Sequence, residues 1–149
     1  MMYYIVIGGL FVYCSVQDIR KREVSNLCLW IGAGLVLLLF VVDGILRSRL
    51  SAGEPLPWKQ LWGIIPGVCI CGVSHVTGGS IGKGDGYLLC ISGAALGLNV
   101  NLAILCYGLL AAGIWSAVLL MVRKVKKDTK LPFVPFLTGG YLLTLLQFI

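Results

Sequence analysis

Two aspartates lie where a mostly apolar chain tolerates them least. Asp85 sits in Ser80-Ile81-Gly82-Lys83-Gly84-Asp85-Gly86-Tyr87 at the start of a hydrophobic run, and Asp18 closes another run that begins at Met1. An ionisable side chain at membrane depth costs at least about 2.5 kcal/mol on insertion scales and by default marks a functional site. Gly82, Gly84 and Gly86 remove Cβ atoms at three alternate positions around Asp85, which permits close approach and backbone geometry that side chains block. Two carboxylates that meet cannot both ionise easily, so the pair shares a proton. The ionised member can then deprotonate a water while the protonated member polarises a peptide carbonyl, which is the division of labour in aspartic proteolysis. Other hydrolytic chemistries find little support, with a single histidine, His75, and no HExxH or GxSxG pattern.

Helix ends bear on which carboxylate does which job. Asp85 is expected at a helix N-terminus, where partial positive charge stabilises an anion, and Asp18 near a C-terminus, where it does not, although Arg20, Lys21 and Arg22 oppose that effect. On this reading Asp85 is the resting base and Asp18 the acid. The residues alone are equally compatible with two unrelated interfacial aspartates, one ending a helix and one capping another. A small transporter binding protons or cations is a further reading, but its ionisable groups belong near the bilayer midplane on broken helices. Here both fall towards one face.

The elements that must position these groups are transmembrane. Of 149 residues 58% are hydrophobic and only 12% charged, with a mean hydropathy of +0.95; soluble domains average about 25% charged. Roughly 20 apolar residues cross the hydrocarbon core, which gives room for about six crossings. The expected fold is therefore an all-α polytopic bundle of about six transmembrane helices, a single domain over residues 1–149. The net charge of +6 does not signal nucleic acid, because the cations cluster at Arg20-Lys21-Arg22 and between Arg123 and Lys130 beside apolar runs, as cytoplasmic loops do. No aromatics alternate with them as a single-strand platform requires.

In chain order, the first run carries its cations after the apolar stretch, the reverse of a cleavable signal peptide, and reads as a helix leaving the N-terminus outside. A second run spans Leu27 to about Leu46, with Ser25 or Asn26 as N-cap, followed by a loop from Arg47 to Gln60. The third, Leu61 to Val76, is expected to kink at Pro66 and holds Gly63 and Gly67 at a GxxxG spacing that admits a close neighbour. The fourth runs from Asp85 to about Leu98, with Gly93 and Gly97 at the same spacing. A turn at Asn99-Val100-Asn101 leads to a fifth run, Leu102 to Val122, and Pro132 and Pro135 frame the last, so both termini are expected outside. Nine cations then fall inside and three, Arg47, Arg49 and Lys59, outside. Asp18 and Asp85 share the cytoplasmic side.

The remaining candidates read as structural. Cys14, Cys28, Cys69, Cys71, Cys90 and Cys106 contain no CxxC pair, so neither a zinc site nor a redox motif is signalled, and no metal or cofactor is expected; they read as small packing residues. His75 is read as a satisfied residue at a helix end, and Lys83 as a snorkelling anchor. The Arg123 to Lys130 run reads as a topology determinant touching anionic lipid, and Trp30, Trp58, Trp62 and Trp115 as interfacial or interhelical.

Three stretches in this order resemble the type IV prepilin peptidases. Asp18-Ile19-Arg20-Lys21-Arg22-Glu23-Val24-Ser25-Asn26 is similar to the family's first aspartate motif, Gly82-Lys83-Gly84-Asp85 looks like its GxGD motif, and Pro132-Phe133-Val134-Pro135-Phe136-Leu137 is similar to the PFxPF segment opening its last helix. The resemblance implies a membrane aspartic endopeptidase with its site at the cytoplasmic face, Asp18 and Asp85 as catalytic pair, and Gly82 and Gly84 as the frame of the second Asp. It implies prepilin or pseudopilin substrates, cut between a short basic leader and a hydrophobic stem, usually after Gly. Ser25 stands where the family usually has Pro, and Gly86-Tyr87 where Val-Lys is common. The chain resembles short, peptidase-only members, so product N-methylation is not expected.

Overall fold

A computed structural model describes residues 2–21, 26–50, 58–76, 82–122 and 133–148. Its elements are α1 (Met2–Lys21), α2 (Asn26–Leu50), a single turn α3 (Trp58–Leu61), a 3-10 turn (Trp62–Ile64), α4 (Ile65–Val76), α5 (Lys83–Leu96), α6 (Leu98–Met121) and α7 (Val134–Phe148). All six apolar runs are helical, and no strand occurs among the described residues. Three helical stretches, Met2–Arg20, Leu27–Ile45 and Leu98–Met121, are long and apolar enough to cross a membrane. Trp62–Val76 and Val134–Gln147 are shorter apolar helices. With 14 residues, α5 extends only about 21 Å, less than the roughly 30 Å hydrocarbon core.

Polar side chains are buried within a hydrophobic core, and large apolar side chains cover the outside. Asp18, Ser74, Asp85, Ser92, Asn101 and Thr144 are buried, while Leu37, Leu38, Leu110, Ile114 and Leu146 are exposed. A helical membrane bundle is the architecture that accommodates both facts, because lipid takes the apolar surface and the helices satisfy their own backbone. The core follows helical spacing. Ile7, Phe11, Cys14 and Asp18 form one buried stripe on α1, and Val134, Leu137, Tyr141 and Thr144 form another on α7. Phe11 stacks on Tyr141 with ring centroids 5.3 Å apart, and the Tyr141 hydroxyl donates to the Tyr4 carbonyl. This seam fixes the end of α1 against the start of α7.

Lipid offers no hydrophobic drive for helix association, so close contact and interhelical hydrogen bonds must supply it. The two GxxxG pairs meet each other: a Cβ on Gly63 would collide with the Gly93 carbonyl, and one on Gly93 with the Gly63 carbonyl. Asn101 Nδ2 donates to the carbonyls of Gly63 at 2.7 Å and Leu89 at 3.0 Å, and its Oδ1 accepts from Ser92 Oγ at 2.9 Å. One buried amide therefore ties α6 to the 3-10 turn and to α5.

Several expected boundaries move. Asn99, Val100 and Asn101 are helical, and the turn contracts to Gly97, whose φ of 84° suits a residue without a Cβ. The sequence reads as a turn there because asparagines favour turns, but tertiary hydrogen bonds to Asn101 hold it in α6. Pro66 makes no mid-helix kink: it occupies the first turn of α4, where a missing amide proton costs nothing, and the Ile65 amide bonds to the Trp62 carbonyl in the tight turn before it. α2 runs on to Leu50, since arginines are good helix formers once outside the apolar zone. α5 begins at Lys83 and ends at Leu96. The expected caps and loops at Ser25, 51–57, Ser80-Ile81, Arg123 to Lys130 and Pro132 lie outside the described residues.

Candidate active site

Asp85 occupies the first turn of α5, with Gly82 as N-cap in extended conformation and the Asp85 amide bonded to the Gly82 carbonyl at 3.1 Å. It lies on the buried stripe that continues through Leu88, Leu89 and Ser92, and is only 6% exposed. The glycines around it do different work. A Cβ on Gly82 would press against the Asp85 carboxylate at 3.0 Å, and one on Gly86 would collide with Cys71 Sγ of α4. Gly84 sits half-buried between them.

Asp18 reaches the same place from α1. Its position four residues beyond Cys14 continues the inward stripe, leaving it 7% exposed. The helices α1 and α5 pack together, and the two carboxylates are near enough for the charge of Asp18 to act on Asp85. The structure thus brings together the two aspartates that the sequence singles out. His75 lies exposed in the last turn of α4, and Lys83 is exposed at the start of α5.

A third participant was not read from the sequence as part of the site. The Val134 amide, at the first position of α7, donates to Asp18 Oδ2 at 3.2 Å, and the Phe133 backbone contributes alongside. Helix N-termini present unpaired amides and partial positive charge, so Asp18, although near the C-terminus of α1, also rests on the N-terminus of α7. Pro135 follows at the next helical position, where its missing amide leaves no bond unmade. The signal was present in the Phe133 to Phe136 stretch, but nothing in it says which residue 116 positions away its amides serve.

Among the described residues no group of three or more His, Cys, Asp or Glu side chains could hold a metal ion. The arrangement itself is two shielded carboxylates, one fed by a backbone amide and one framed by glycine.

The sequence profile of the type IV leader peptidase family matches residues 5–121. The chain is 24% identical over 143 residues to the prepilin leader peptidase/N-methyltransferase of Bacillus subtilis (strain 168), covering 95% of this chain and 54% of that protein. It therefore spans about half the length of this curated relative. No solved structure matches the chain.

Proposed function

The chain belongs to the type IV leader peptidase family, and from that premise we propose that it is a membrane aspartic endopeptidase that removes the leader from prepilin-like or pseudopilin-like substrates. The observation that carries the reading is the convergence of Asp18 and Asp85 on the packed helices α1 and α5, both buried. The site faces the cytoplasm in this proposal, both termini lie outside, and the bilayer holds the substrate's hydrophobic stem beside the bundle.

The chemistry follows from the pair. One carboxylate, ionised, takes a proton from a water as that water attacks the scissile carbonyl. The other, protonated, donates a hydrogen bond to the carbonyl oxygen and stabilises the charge that develops there. As the tetrahedral intermediate collapses, a proton from the pair passes to the leaving nitrogen. Helix ends alone assigned the base role to Asp85. The Val134 amide supports the opposite assignment, because a donor aimed at Asp18 favours that carboxylate as the anion; Asp85 then holds the proton.

Co-expression with a prepilin-like substrate tests the function. Leader removal is expected with the wild type and absent with Asp18→Asn or Asp85→Asn. Leader removal that persists in either variant sinks the aspartyl mechanism.

A further inference from the structure

The α1/α2 seam carries a pair of thiols that the proposed chemistry does not use. Cys14 Sγ and Cys28 Sγ lie 3.5 Å apart, both buried, on two helices that are consecutive in the chain and packed on each other. Disulfide sulfurs sit about 2.05 Å apart, so a small movement of one helix along the line of contact closes the bond. The seam is reachable from outside the bundle. A groove of about 300 Å³ runs between α1 and α2, lined by Leu10, Tyr13, Gln17, Leu27, Cys28 and Ile31, and Cys28 is therefore in its wall.

The pair is placed to matter. Cys14 lies one helical turn before Asp18 on the same buried stripe. α2 packs chiefly on α5 and α1 and leaves Trp30, Leu37, Leu38 and Val41 exposed, so it is the long helix freest to shift. We infer that Cys14 and Cys28 form a redox modification site, and that their oxidation to a disulfide locks α2 onto α1 and displaces Asp18 from its partner carboxylate.

The oxidant is a lipid-soluble quinone, matched to the apolar groove. The two thiols lose two electrons and two protons, the S–S bond forms, and the quinone leaves as hydroquinone. The effect on cleavage rests on the peptidase reading above; the thiol site itself does not.

The test treats the purified full chain in proteoliposomes with a fully substituted benzoquinone, which oxidises thiols without adding to them. Alkylation followed by peptide mass spectrometry should find a Cys14–Cys28 crosslink that is absent from Cys28→Ala and reversed by dithiothreitol. Cleavage of a prepilin-type peptide should fall roughly 10- to 100-fold on oxidation, as misplacement of reacting groups by about 1 Å does, and a Cys14→Ala/Cys28→Ala variant should stay active and insensitive. Both thiols remaining free to alkylate, or a crosslink that leaves cleavage unchanged, overturns the inference. A crosslink in a chain that cleaves nothing in either redox state supports the thiol site and counts against the peptidase reading instead.

Discussion

Among single residues, the site depends on buried groups that give or accept hydrogen bonds. The Val134 amide is expected to matter through Asp18 alone. Val134→Pro removes that donor at a position where a helix accepts proline, so cleavage should fall roughly 10- to 100-fold, the worth of a hydrogen bond to a charged group, while the melting temperature in detergent moves little. An equal loss in both readouts would make the contact structural. Asn101 makes the opposite prediction. Replacing it with Leu removes the side-chain donor to the Gly63 and Leu89 carbonyls and the acceptor for Ser92 Oγ, although Ser92 Oγ keeps its bond to the Leu89 carbonyl; the loss should cost on the order of 1–3 kcal/mol, read as a lowered melting temperature. Both aspartates were legible in the sequence because an apolar chain makes any carboxylate conspicuous. Asn101 was not, since its spacing from Asn99 and Gly97 imitates a turn, and only its distant partners reveal the buried role.

At the scale of elements, helix association depends on glycine where lipid supplies no hydrophobic drive. The GxxxG spacings at Gly63/Gly67 and Gly93/Gly97 announced close contact but not their mutual partner. Gly63→Ala and Gly93→Ala should each cost about 1–3 kcal/mol through overpacking, because the new Cβ meets a backbone carbonyl that cannot yield. Gly9→Ala is the control, with nothing within reach of an added Cβ, and should not lower the melting temperature, since alanine is the better helix former. Since α5 carries Asp85, the two destabilising substitutions should also lower cleavage. Element ends were the least legible feature: arginines extend α2 to Leu50, and a single glycine at 97 replaces the expected three-residue turn, because local composition reports polarity and not where tertiary bonds hold the backbone.

For the whole molecule, the apolar exterior was the most legible feature, since a chain 58% hydrophobic and 12% charged has too little polar surface to cover itself. Exposed apolar surface on α6 is then an asset, and Leu110 is 63% exposed. Leu110→Arg should reduce the membrane-integrated yield, since a charge near mid-helix costs about 2.5–3.5 kcal/mol on insertion scales; fractionation showing unchanged integration would place that face away from lipid. What the sequence could not supply was the junction of the N-terminal and C-terminal helices. The seam between α1 and α7, with Phe11 on Tyr141 and Asp18 on Val134, joins residues more than a hundred positions apart, and no local pattern encodes that meeting.

In the proposed mechanism Asp18 and Asp85 act as one unit. Single-turnover cleavage of a prepilin-type peptide by the purified chain, compared across wild type, Asp18→Asn, Asp85→Asn and the double variant, tests it most directly. Groups that work as a unit are strongly non-additive, so each single substitution should abolish nearly all of the rate and the double should be no worse. Losses that multiply in the double variant, or cleavage that survives either single change, would mean that the two carboxylates do not form a catalytic pair.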